Sequence, residues 1–77
     1  MNRQTARRIQ IINKIRNGLK DAYERGIELD YKRFIAIICL DENVSERKAK
    51  EYVKLLVDSG ECILEKGLIS INKDYGF

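Results

Sequence analysis

The sequence predicts a single, mainly helical domain with a small β component: three helices, one very short strand and a C-terminal hairpin. Three observations carry that reading. The 77 residues are 44% hydrophobic and 35% charged, a balance that suits one folded core near the lower size limit for a chain standing alone. Apolar residues recur at helical spacing in the first stretch and again in a later one, with an apolar run between them. The last stretch instead alternates on both sides of Lys66-Gly67, a two-residue turn. The domain is expected to occupy 1–77, with 1–4 and 73–77 as flexible tails.

The first helix is expected from about Thr5 to Arg25. Ile9, Ile11, Ile12, Ile15, Leu19, Ala22 and Tyr23 fall on one side of a 3.6-residue wheel. Gly26 is a helix stop. Ile27, Glu28 and Leu29 alternate briefly, enough for a very short strand. Asp30 can cap a second helix over Tyr31–Leu40. That helix is apolar almost all round from Phe34 onward, which places it at the centre of the core. Asp41, Glu42, Asn43 and Val44 read as a polar turn. Ser45 is a good N-cap for a third helix from Glu46 to about Ser59. Its buried stripe is Ala49, Tyr52, Val53 and Leu56, and Arg47, Glu51, Lys54 and Asp58 point away. Spacing of four joins Arg47 to Glu51 and Glu46 to Lys50 as surface pairs. Gly60 occupies a helix-ending position. In the hairpin, Leu64 faces Ile69 and Cys62 faces Ile71, so all four share one side.

Composition excludes several functions. Histidine is absent, and with it the commonest general base and metal ligand. Cys39 and Cys62 lack metal-ligand spacing. They read as small buried hydrophobes, with a disulfide between helix two and the hairpin as the alternative. No catalytic residue, metal, cofactor or small-molecule ligand is expected. No apolar run is long enough to cross a membrane, and no signal peptide is read. The expected location is the cytoplasm, or that of a host if the source is viral.

Charge is unevenly placed. Residues 1 to 25 carry seven Lys or Arg against two acids, and residues 26 to 77 carry eight against ten. A basic segment of this kind attracts phosphates. The equal competitor is a solvated helix face.

The order helix, strand, helix, turn, helix, hairpin is that of a winged helix. The stretch from Val44 to Ile63, with its Ser cap, its recurring Ala49, Val53 and Leu56 and its terminal Gly60, resembles the recognition helix and first wing strand of winged helix-turn-helix regulators of the small archaeal or archaeal-virus type. The resemblance covers roughly 27–72. It implies a double-stranded DNA partner and a regulatory role. The third helix would enter the major groove, whose base edges differ from pair to pair. Ser45, Arg47, Lys48, Lys50 and Lys54 would make its contacts. Arg47 would read guanine, and the lysines would meet phosphates. Lys66 at the wing tip and Arg3, Arg7 and Arg8 would add backbone contacts. Glu51 departs from the pattern by placing an acid on the reading face. The alternative function is a protein–protein assembly module; RNA binding ranks third and catalysis last.

A homodimer is also expected, through Ile11, Ile15, Leu19 and Tyr23 of helix one. Its apolar stripe spans about 160° of the wheel, more than the roughly 100° one core-facing side requires. The competing reading is a monomer that spends the whole stripe on its own core.

Overall fold

The computed structural model describes residues 3–75. They form α1 (Arg3–Glu24), β1 (Leu29–Asp30), α2 (Tyr31–Glu42), α3 (Glu46–Asp58), β2 (Cys62–Glu65), β3 (Leu68–Ile71) and a 3-10 turn at Lys73–Tyr75. The architecture is three helices and one three-stranded antiparallel sheet, ordered β1-β3-β2.

Each boundary has a local cause. Gly26, at φ 68°, ends α1. Its amide donates to the Tyr23 carbonyl at 3.1 Å, and the Ile27 amide donates to the Ala22 carbonyl at 2.8 Å. This pair of bonds is the Schellman arrangement, which satisfies carbonyls left over at a helix end. It also consumes Ile27, so the short strand begins later than the expected 27–29. Pairing occurs only where β3 reaches, at Leu29 with Ile69 and Asp30 with Leu68. Asp30 then caps α2, its carboxylate accepting from the Arg33 amide at 3.0 Å. The helix runs on through Asp41 and Glu42 rather than stopping at Leu40. Neither residue breaks a helix, and Asn43, at φ 54°, is the first that readily turns left-handed. Ser45 caps α3 as expected, with Oγ 3.2 Å from the Lys48 amide.

The hairpin has the expected register, Cys62 with Ile71 and Leu64 with Ile69. Lys66 and Gly67 both adopt positive φ, 51° and 77°. That is a type I′ turn, whose twist matches the flanking strands. Leu64, though on the inner side, extends past the core and stays partly exposed.

The core gathers Ile11, Ile15 and Leu19 from α1, Phe34, Ile35 and Ile38 from α2, and Ala49, Tyr52, Val53 and Leu56 from α3. Cys62, Ile69 and Ile71 close it from the sheet. Three of the four residues expected at an interface on helix one belong to this core. Ile11, Ile15 and Leu19 are only 1%, 3% and 1% exposed within a single chain, and Tyr23, at 51%, lies outside their cluster. α1 packs against both β3 and α3, and its Ile11, Ile15, Leu19 and Ala22 are buried, whereas Ile9 and Tyr23, on the other flank of the wide stripe, stay exposed at 43% and 51%.

A correction concerns α2. Phe34, Ile35 and Ile38 are buried, but Ala36, Ile37 and Leu40 face outward, and Leu40 is 83% exposed. So small a domain lacks the chain to cover a helix on every side.

Parts of both expected tails have regular structure. Arg3 belongs to α1, and Asn72 anchors the 3-10 turn: its side chain donates to the Gly60 carbonyl at 2.9 Å and accepts from the Asp74 amide at 3.0 Å. Residues 1, 2, 76 and 77 of the expected tails lie outside the described residues. Both thiols are free, so the disulfide alternative is not formed. Burial, aided by the adjacent Glu61 carboxylate, pushes the Cys62 thiol from 9.0 to about 11. Among the described residues no helix is long and apolar enough to cross a membrane.

Candidate nucleic-acid interface

α3 is strongly two-sided. Its inner stripe is buried, whereas Glu46, Arg47, Lys48, Lys50, Glu51, Lys54 and Asp58 are all exposed. The lysines are held along the helix: Lys50 to Glu46 at 2.9 Å, Lys48 to Glu51 at 3.5 Å and Lys54 to Asp58 at 2.7 Å. The hydrogen bond from Lys50 holds the Glu46 carboxyl below its usual value, and the same bond raises Lys50. Asp58 raises Lys54 in the same way. The Glu46–Lys50 pair is as expected, but Arg47 does not pair with Glu51. Lys48, three residues before Glu51, takes that carboxylate instead. Arg47 therefore has no ion-pair partner among the described residues, and it sits in the first turn of α3, near the middle of its outward side.

The surroundings of this face come from α2 and the hairpin. Tyr31, Lys50, Glu51, Val53, Lys54, Val57 and Leu64 border an open cleft of about 430 Å³. The Tyr31 amide donates to the Gly67 carbonyl at 2.8 Å. That bond ties the hairpin tip, and Lys66 with it, to the start of α2.

The N-terminal arginines sit elsewhere. Arg7 donates to the Glu42 carbonyl at 2.7 Å and lies 3.8 Å from its carboxylate, which Lys14 reaches at 3.3 Å. These contacts close the C-terminal end of α2. The hairpin tip is at the other end of that 12-residue helix, about 18 Å away at 1.5 Å per residue. Arg16, next along α1, is engaged by Glu61 at 3.0 Å and Asn13 at 2.9 Å. Arg3 and Arg8 are exposed and have no ion-pair partner among the described residues. The expected contact set thus divides in two. Arg47, Lys50, Lys54 and Lys66 gather around α3 and the hairpin, with Ser45 and Lys48 at the head of α3. Arg7 is spent on internal structure.

Two residues that matter here were not singled out from the sequence. Glu42 is only 7% exposed and receives both Arg7 and Lys14. Tyr31 joins α2, α3 and the hairpin. Both had a legible signal: Tyr31, Phe34, Ile35, Ile38 and Glu42 follow one another at helical spacing on the core side.

Comparison with protein families, with curated proteins and with solved structures finds no match for this chain. Among the described residues, no three Cys, Asp or Glu side chains converge to hold a metal ion.

Proposed function

We propose that the chain is a winged helix-turn-helix protein that binds double-stranded DNA, in a regulatory role and without catalysis. The observation that carries the reading is Arg47: an exposed guanidinium free of ion pairs among the described residues, in the first turn of a two-sided helix. Lys54 follows two turns later on the same side. A helix of this width fits the major groove, and a guanidinium can meet both acceptors of guanine. The lysine pairs do not oppose this. Exposed ion pairs are weak, so a lysine can exchange its carboxylate for a phosphate at little cost. Lys50, Lys54 and Lys66 then serve the backbone, and Ser45 and Lys48 lie at the head of the helix, where anions are favoured. Arg3 and Arg8 remain available for outer phosphates.

A second reading, an assembly module for other proteins, is favoured by the acids on α3. Glu46, Glu51 and Asp58 nearly balance its four basic residues. The two readings separate in one experiment. Random duplexes are selected on the protein, and binding is followed by fluorescence anisotropy across a range of salt. DNA binding predicts a steep fall in affinity with salt. Lys54→Ala should weaken all sequences and flatten the slope by about one. Arg47→Ala should relax preference at one base pair by about 1–3 kcal/mol. No binding at low salt, or isotherms that neither substitution moves, would remove the DNA reading and leave the assembly module.

A further inference from the structure

We propose that the exposed side of α2 pairs two copies of this chain, antiparallel, about a two-fold axis between Ala36 and Ile37. The outward stripe of α2 reads, from start to end, Lys32 and Arg33, then Ala36 and Ile37, then Leu40 and Asp41, all exposed. It is basic at the head, apolar in the middle and acidic at the foot. Such a pattern is complementary to itself when reversed. With the axis between Ala36 and Ile37, Arg33 of one copy comes opposite Leu40 of the other, and Lys32 comes opposite Asp41. A two-fold axis repeats each contact.

Five features support a second copy as the occupant. Leu40 is the most exposed large apolar residue in the described chain, at 83%. Beside it, Lys32 and Glu46 frame an open groove floored by Ile35, Ala36 and Cys39. Ala36, small and central, lets two helices approach to about 8 Å, the close end of helix packing. Lys32, Arg33 and Asp41 have no ion-pair partner among the described residues, so their charges are available to another chain. Reversal also sets the two helix dipoles antiparallel, with Asp41 of each copy near the positive end of the other. The stripe lies on α2 and meets the outward side of α3 only where Glu46 frames the groove; none of the substitutions below touches α3, so dimerisation and DNA binding can be tested separately.

One helix pair falls below the roughly 1,200 Å² of a standard interface, so the dimer belongs to the weak class. It is to be sought by sedimentation equilibrium from about 10 µM to about 1 mM. The expected result is a 9.0 kDa species that passes to twice that mass as concentration rises. Leu40→Glu should abolish the dimer while helicity, read by circular dichroism, stays unchanged. Lys32→Glu and Asp41→Lys should each weaken self-association about tenfold, because each sets like charges in contact at two places. Mixing those two variants should restore it, since the heterodimer recovers both opposite-charge pairs. A single 9.0 kDa species throughout, a dimer that survives Leu40→Glu, or a mixture no stronger than its components would overturn the proposal.

Discussion

α2 and α3 are nearly the same length, 12 and 13 residues, and pack into the same core, yet they treat solvent in opposite ways. α3 covers its outward side with charge and ties three of its four basic residues to acids one turn away. α2 is apolar on both sides, and its surplus ends in solvent at Ala36, Ile37 and Leu40. The difference teaches that hydrophobic content and burial are separate properties. A helix is buried by what surrounds it, and in a short chain the surroundings run out. The same comparison reaches function. A surface of paired charges releases its partners readily to phosphate, whereas an uncovered apolar stripe calls for another apolar surface.

The largest effect contrasts two α2 residues that sequence composition cannot tell apart. Ile38 is 4% exposed and Leu40 is 83% exposed. Ile38→Ala should cost about 2–5 kcal/mol, from lost transfer energy and the cavity left behind. Leu40→Ala should change stability by less than about 0.5 kcal/mol. Urea unfolding of dilute protein measures both. Equal losses would mean that α2 is rotated from the orientation described, and the comparison with α3 would collapse.

Much of this fold was legible in the residues, and the reasons differ by element. The hairpin register followed from strict alternation about a two-residue turn. The buried stripe of α3 followed because its polar and apolar positions separate cleanly. Both are local properties of sequence. α2 was legible as a helix but not in its orientation, because a wheel that is apolar all round has no marked inner side. The width of the α1 stripe was legible, but which part of it is covered was not: β3 and α3 pack on the flank of Ile11, Ile15 and Leu19, and Ile9 and Tyr23 stay exposed. For the candidate site, the outward α3 residues were recovered. The loss of Arg7 to Glu42 was not, since it depends on α2 running two residues past Leu40 and turning Glu42 inward.

An intermediate effect contrasts two adjacent acids, Asp41 and Glu42. Glu42 is buried and holds Lys14 and Arg7; Asp41 is exposed. Glu42→Gln preserves shape but removes the charge that joins the head of α1 to the foot of α2. Because Arg7 and Lys14 are themselves about half exposed, screening by water reduces the loss to about 1 kcal/mol. The loss should shrink with added salt. Asp41→Asn should leave the stability of the dilute protein unchanged. Equal effects of the two substitutions would remove the distinction between a buried clamp and a surface charge.

The smallest effect belongs to α3 and tests whether its paired charges are as loosely held as the proposed DNA binding requires. Lys50→Gln removes the hydrogen bond that keeps the Glu46 carboxyl below its ordinary value of 4.5. In the variant Glu46 should titrate nearer 4.5, as followed by the carboxyl carbon shift in NMR. The sign for stability follows from the depressed value in the folded chain. The pair contributes fully above the unfolded-state value of 4.5, and the contribution disappears as pH falls through the lower folded value. Wild type and variant should therefore differ most at neutral pH and converge in acid. Even at neutral pH the difference should be slight, because both side chains are exposed and water screens the pair. DNA affinity should respond in the opposite proportion: a lysine that contributes little to folding should contribute a full phosphate contact, lowering the salt slope by about one. A large loss of stability with an unchanged slope would show that the α3 charges serve the fold, and would shift the balance toward the assembly reading.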